Sequence, residues 1–421
     1  MANDLHRTID AVWRIESARI VASIARVVRD VALAEELAQD ALVAALEHWP
    51  RSGLPDNPGA WLMATAKNRA LDRLRQDALH LRKQQELGAD ADARGDHLVP
   101  DFSDALDAAT DIDDDLLRLV FVSCHPVLNQ EAQVALTLKL LAGLTTAEIA
   151  RAFLQPEPTI AQRIVRAKRT LSVAKVPFEV PRGDALSERL TAVLAVIYLI
   201  FNEGYAARAG DDWMRPALCE EALRLGRVLA GLMPDNSEVL GLVALMEIQA
   251  SRFGARVDGS GQPVLLLDQD RSRWDRLLIG RGLAALAAAS SLGVEPGFYA
   301  LQAAIAACHA RAPTGQDTDW PRIVALYDAL GRLRPSPVIE LNRAVAVGMA
   351  YGPAAALPLV DALAAEPALA RYHLLGAVRG DLLAKLGRLD EARLEFARAS
   401  TLASNQRERQ MLLDRSRAAV H

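Results

Sequence analysis

The chain has 421 residues, 51% hydrophobic but only 5% aromatic, with 48 basic and 53 acidic side chains and a formal net charge of −5. That length exceeds one ordinary core and implies roughly two to four domains, and its Ala- and Leu-rich stretches, poor in Gly and Pro, favour an all-α fold over sheets. Global acidity does not exclude a nucleic-acid partner, because the local distribution of charge decides that.

Three dispersed cysteines, Cys124, Cys219 and Cys308, form neither a CxxC pair nor an even disulfide framework. They point to a reducing, cytoplasmic setting. The first ten residues contain charges and no apolar h-region, so no signal peptide is expected. The most apolar run, residues 190–201, is too short to span a bilayer and fits a buried helix, so no membrane partner is expected. No phosphate loop, nucleophile elbow or HExxH motif occurs, and no enzyme activity or cofactor is expected.

In chain order, residues 10–77 form a first helical block. Within it, residues 30–49 predict one amphipathic helix with Ala34, Leu37, Ala38, Ala41, Ala45 and Trp49 on or near the inner stripe. Glu35, Glu36, Gln39, Asp40 and Glu47 are expected outside. After Pro58, residues 60–75 predict a second helix with Leu62, Ala66, Leu71 and Leu74 as core candidates. Lys67, Asn68, Arg69, Arg73 and Arg75 give it a polar, basic outer surface. Asn68 carries both donors and acceptors suited to a base edge, and Trp61 can stack or pack. Residues 78–111, with Asp90, Asp92, Asp96, Asp101, Asp104 and Asp107, predict an acidic linker.

The second helical block, residues 112–176, holds the sharpest motif. Thr145 to Glu148 spells a capping box at the start of a helix whose buried stripe is Ile149, Ala150 and Phe153. A short turn over residues 154–158 follows, and its prolines suit the first turn of the next helix. In that helix, residues 159–171, Ile160, Ile164, Ala167 and Leu171 share one face. Thr159, Gln162, Arg166 and Arg169 point away from it, and Arg163 and Lys168 flank the sides. Residues 159–175 contain five basic side chains and no acidic one. An apolar inner face, a basic outer face and a short preceding turn meet the requirements of a helix-turn-helix recognition helix in a major groove. Gln162 and Arg166 can contact base edges bidentately; Arg163, Lys168 and Arg169 suit phosphates.

After Pro177, Pro181 and Gly183, the block over residues 185–421 predicts helix pairs separated by Gly/Pro turns. Gly380, Gly387, Ala392, Phe396 and Ala399 follow tetratricopeptide (TPR) repeat spacing, and Pro335 and Pro367 stand 32 residues apart, about one repeat. Cys124-His125 and Cys308-His309 lack the usual metal spacing, so no metal is expected there. The run from Asp268 to Asp275 predicts a helix-start ion-pair network with Trp274 packed inside. Gly204 in Phe201-Asn202-Glu203-Gly204-Tyr205 predicts a helix C-cap.

The segments DVALAEELAQDALVAALEHWP, PGAWLMATAKNRALDRLRQ and GLTTAEIARAFLQPEPTIAQRIVRAKRTL occur in the order and spacing of extracytoplasmic-function (ECF) sigma factors, which residues 10–175 resemble. The resemblance implies a sigma-2 domain (1–77), a linker (78–111) and a sigma-4 domain (112–176), with core RNA polymerase and promoter DNA as partners. It implies that Asp30, Glu35, Gln39, Asp40 and Leu42 dock on the largest polymerase subunit. By the same likeness, −10 DNA is melted around a helix whose matching residues are Asn68, Arg69, Asp72 and Arg73, and Arg163, Arg166 and Lys168 lie on the −35-reading helix.

The segments IYLIFNEGY, LLLDQDRSRWD, LQAAIAACHA and PSPVIELNRAVAV are similar to a sigma subgroup with a C-terminal TPR-like domain (185–421), whose genes commonly neighbour small DGPF/YCII-type proteins. Typical ECF sigma factors are silenced by a separate anti-sigma factor. Here the extension suggests that regulation is carried in the chain, by contact with the sigma domains or with polymerase. The alternative reading is a helix-turn-helix regulator that binds DNA without polymerase and carries a repeat-type sensor or scaffold domain.

Overall fold

In the computed structural model the structure describes residues 2–88, 112–153, 155–205, 214–259, 264–403 and 406–418. Among these the fold is all-α, with eighteen α-helices, three short 3-10 turns and no strand. The chain divides into two compact units, residues 1–197 and 198–421. The acidic residues Asp90 to Asp107 of the expected linker lie outside the described residues.

The first unit opens with α1 (Ala2–Val28), α2 (Val31–Ser52) and α3 (Pro58–Gly88). Asp30 starts α2 by accepting a hydrogen bond from Leu33 N at 2.9 Å, the side-chain cap that an orphan N–H at a helix start needs. Gly53, at φ +83°, ends it. The expected stripe of α2 is buried from Ala34 through Trp49, and its closest neighbours are α1 and α3. On α3, Leu62, Ala66 and Ala70 are fully buried, while Leu71 and Leu74 are half-buried. The helix does not stop near Asp77 but continues to Gly88.

Next come α4 (Ile112–Ser123), α5 (Gln130–Leu140), α6 (Thr146–Ala152) and α7 (Glu157–Val173). Nearly every side chain of α5 is buried, which makes it the central helix of this bundle. The capping box of α6 forms as expected: Glu148 N donates to Thr145 Oγ1 at 3.2 Å, and Thr145 N donates to Glu148 Oε2 at 2.8 Å. α7 begins at Glu157, two residues before the expected start, with Pro158 in its first turn. That turn lacks intrahelical N–H partners anyway, so the proline costs it nothing.

The division between units falls within α8 (Asp184–Tyr205). The second unit continues through α9 (Pro216–Leu232), α10 (Ser237–Ala250), α11 (Arg276–Ser291), α12 (Phe298–Arg311), α13 (Trp320–Leu333), α14 (Pro337–Tyr351), α15 (Pro353–Leu363), α16 (His373–Lys385), α17 (Leu389–Leu402) and α18 (Gln406–Ala418). Successive helices pack on one another as pairs. In α16–α17 the repeat spacing has its expected physical meaning: a Cβ on Gly380 would stand 2.8 Å from the Phe396 ring, and Ala392, Phe396 and Ala399 are buried.

Two expectations for this unit are corrected. Gly204 lies inside α8 rather than capping it. A Cβ there would meet Cys219 N at 2.8 Å, so the glycine serves the close approach of α8 and α9. In the Asp268–Asp275 run, Asp270 and Asp275 do cap helix starts and Trp274 is buried. Arg271, however, donates to His309 O (2.6 Å), Ala312 O (2.7 Å) and Thr318 Oγ1 (3.2 Å) rather than to carboxylates. The segment is a buried arginine plug between helix ends, not an ion-pair network.

Candidate promoter and polymerase interface

On α7, Ile160, Ile164, Ala167 and Leu171 are buried, which turns the opposite arc outward. Thr159, Gln162, Arg166 and Arg169 are all exposed on that arc. Spacings of three and four residues stack them along one side of the helix, with the Gln162 amide and two guanidiniums free of the bundle's own packing.

The two flanking cations are placed differently. Arg163 pairs with Glu131 of α5 at 2.6 Å. Lys168 pairs with Glu35 of α2, and Lys139 of α5 approaches the same carboxylate at 3.7 Å. Gln39 Nε2 donates to Glu35 Oε1 at 2.8 Å.

Glu35 was expected on the outer face of α2 but is only 4% exposed. The reason is that α2 is covered on two sides: α1 and α3 take its alanine stripe, and α7 takes the flank beside it. Sequence periodicity identifies one buried face, not a second contributed by a helix more than a hundred residues away. The other residues of this helix behave as expected of a surface, with Gln39 exposed, and Asp30, Asp40 and Leu42 half-buried.

On α3, Asn68 and Arg73 are exposed and Lys67 and Arg69 half-buried. Arg69 pairs with Asp40 at 3.2 Å, and Arg73 with Asp77 one turn on. Trp61 is half-buried and packs edge-on against Trp49, with ring centroids 5.4 Å apart, so its indole is held rather than free-standing. The structure thus brings the expected −10 and polymerase-facing residues onto adjoining helices.

Sequence reasoning missed the partners that tie the two bundles of this unit together. Arg14 of α1 pairs with Glu148, the same side chain that closes the capping box. Burial alone would raise the Glu148 carboxyl; the Thr145 hydrogen bonds and the Arg14 and Arg151 charges hold it below the usual range. Arg26 Nε donates to Asp115 Oδ2 at 3.0 Å, and Ser172 Oγ to Asp30 Oδ2 at 3.0 Å. Each partner is an ordinary surface-type residue in sequence, and no local spacing marks it.

Among the described residues, no three His, Cys, Asp or Glu side chains group as a metal site requires. Burial pushes the Cys124 thiol up to about 12, and its Sγ lies 3.4 Å from Thr137 Oγ1. No helix among these residues is long and apolar enough to cross a membrane.

Two small helical bundles, one ending in a capped helix-turn-helix, are the architecture expected of a sigma-70-type initiation factor. The comparisons agree. Residues 15–79 match Sigma-70 region 2, residues 118–171 match Sigma-70 region 4, and residues 189–290 match a family of unknown function, DUF6596. An uncharacterized protein, R00370, of Rhizobium meliloti (strain 1021) is 45% identical over 384 residues, covering 91% of this chain and 89% of the relative. No solved structure matches the chain. The chain belongs to the ECF-like sigma factors with a C-terminal extension, and its sigma regions serve promoter recognition by RNA polymerase.

Proposed function

We propose that the work of initiation is divided among three helices of the first unit. α2 docks on core polymerase through Asp30, Glu35, Gln39, Asp40 and Leu42. α3 holds melted −10 DNA with Trp61, Lys67, Asn68, Arg69 and Arg73. α7 reads the −35 element with Gln162 and Arg166, beside Thr159 on the same arc, while Arg163, Lys168 and Arg169 contact phosphates. The observation that carries this reading is the exposed arc of α7, where two arginines and a glutamine stand clear of an otherwise apolar packing face. Arg and Gln are the side chains best suited to bidentate contacts with guanine and adenine.

The division has a chemical logic. Base-edge contacts require side chains left unengaged by the bundle, and Gln162 and Arg166 are exposed. An extruded −10 base costs a few kcal/mol to unstack and offers its Watson–Crick edge to a side chain such as Asn68.

The C-terminal extension, residues 185–421, regulates the sigma domains. Support comes from its separate, well-packed core and from a relative whose likeness runs through the extension as well as the sigma regions. Stacked helix pairs build surfaces suited to protein partners.

Run-off transcription with core polymerase, from the promoter upstream of the protein's own gene, tests the reading. Specific transcripts that disappear with Arg166→Ala uphold it. Duplex binding without a polymerase complex would favour a regulator that acts alone. A chain ending near Lys175 that transcribes as selectively as the full protein would remove the regulatory role of the extension.

A further inference from the structure

Two large apolar side chains of α7 stand in water: Val165, 64% exposed, and Val173, 74% exposed. Single exposed apolar residues are common on protein surfaces and alone call for no explanation. Val165 differs by its setting. At about 100° per residue it lies roughly 60° round the helix axis from Gln162 and roughly 40° from Arg169, one turn from each. Both of those side chains are exposed, as is the adjacent Arg166, whereas the preceding Ile164 is buried. The valine therefore sits inside the polar, cationic arc to which the preceding section assigns the −35 element.

Nothing in the helix itself asks for a valine there. A β-branched residue forms helix less readily than the Gln, Arg and Lys around it, and at this position it packs on no core. What β-branching supplies is one strongly preferred χ1 in a helix, so that the two methyl groups are held at fixed points. Bringing them against a partner sacrifices little rotamer freedom, unlike the long side chains on either side.

The place along the helix matters as much as the face. Val165 is the ninth residue of α7, which runs Glu157–Val173, and recognition helices present their N-terminal part to base edges. The three residues from Gln162 amount to about 4.5 Å of rise, little more than the roughly 3.4 Å between base pairs. Val165 thus meets the groove floor within a pair or so of the base met by Gln162. Val173 lies about 12 Å further on, as far as the major groove is wide.

What an apolar side chain can recognise there is chemically narrow. Of the four bases only thymine presents an apolar group in the major groove, the C5-methyl beside its O4. We propose that Val165 reads the C5-methyl of a thymine in the −35 element, and so selects a T·A pair at one position that neither Gln162 nor the arginines determine. This rests on α7 being the −35 reader, and adds to that reading a residue and the identity of a base. In the free protein the valine is hydrated; on the promoter its methyl groups and that of thymine leave water together.

Uracil is the probe, since it keeps thymine's pairing edge and O4 and lacks only the methyl. Each thymine of the −35 region, on either strand of the promoter upstream of the protein's own gene, is replaced singly by uracil, and binding of the full-length protein with core polymerase is titrated. At one position the wild type is expected to lose about fourfold in affinity, the worth of one buried methyl group. Val165→Ala removes both γ-methyl groups while favouring the helix; its ratio of thymine to uracil affinity at that position should fall toward one. Val173→Ala, the same change beyond the groove, should keep the full ratio. Promoter-specific binding with no uracil effect at any position, an undiminished effect in Val165→Ala, or an equal loss of it in Val173→Ala would each overturn the proposal. If the wild type shows no promoter-specific binding at all, the −35 assignment itself fails and the methyl contact falls with it.

Discussion

The two units join their helices by different chemistry. In the second unit, contacts are made by removing side chains: Gly241 brings α10 so near α12 that a Cβ would stand 2.6 Å from Ala300 N, and Gly380 lets the Phe396 ring of α17 lie on α16. Where polarity enters, it completes a helix end, as when the Glu238 carboxylate accepts from Tyr299 N (3.0 Å) and Ala300 N (3.2 Å) at the start of α12. In the first unit, α4 lies along α1, but the ties identified between the two bundles are ion pairs and hydrogen bonds: Glu35, Arg14, Arg26 and Asp30 each reach across. Close apolar packing has no favourable substitute in water, whereas a charged contact exchanges for hydration, DNA or another protein at small net cost. The contrast separates a joint closed mainly by close apolar packing from one in which charged and polar side chains also cross.

The largest effect should follow from attacking the permanent joint. Phe396→Ala empties a fully buried aromatic site and is expected to cost about 3–5 kcal/mol, lowering the denaturant midpoint of the second unit. A cost below about 1 kcal/mol would mean that α16 and α17 are not sealed as described.

Acid should loosen the same unit. Burial, assisted by Arg252 and Arg271, lowers the His309 imidazole to about 4. Its unfolded counterpart titrates near 6.5, so between these values the unfolded chain binds the extra proton. Stability from the neutral ring is therefore complete above about pH 6.5 and lost as pH falls toward 4, by an amount on the order of 3 kcal/mol. Urea melts at pH 7 and pH 5 should differ by about 2 kcal/mol, most of that loss. The difference should shrink in His309→Gln, and an equal pH dependence in that variant would assign the proton elsewhere.

On the reading surface, Arg166→Ala is expected to lose about 1–3 kcal/mol of discrimination at one −35 position. Lys168→Ala should weaken all promoters alike and flatten the salt dependence. Gel-shift titrations across single-base promoter variants separate the two. A uniform loss for both would erase the distinction between an exposed reader and a flanking cation drawn on α7.

Much of this was legible beforehand, for local reasons. The capping box at Thr145, the buried face of α7 and the Gly380/Phe396 contact each depend on residues one to five turns apart, so spacing alone exposes them. Glu35 was misplaced because its burial is contributed by Lys168 and Lys139, and Gly204 because the helix it approaches begins a dozen residues later. The arginine plug at Arg271 depends on carbonyls at His309 and Ala312. In each case the missing information is the identity of a distant neighbour, which no periodicity carries. That limit falls hardest on the contact between bundles, whose partners lie far apart in the sequence.

The smallest expected effect tests whether that contact is coupled to the reading motif. Glu148 uses one carboxylate oxygen to close the capping box on Thr145 and the other to pair with Arg14. Thr145→Ala should cost about 1 kcal/mol through the lost cap, and it should also free Glu148 to leave its fixed rotamer. Arg14→Ala alone should cost less, since exposed pairs are worth about 0–1 kcal/mol. If Thr145 orients the carboxylate for Arg14, the double variant will cost less than the sum of the singles, by a few tenths of a kcal/mol. Strict additivity would mean that the cap and the tie merely share a residue. A measurable coupling would mean that the start of the helix-turn-helix and the Arg14 tie stabilise each other through Glu148.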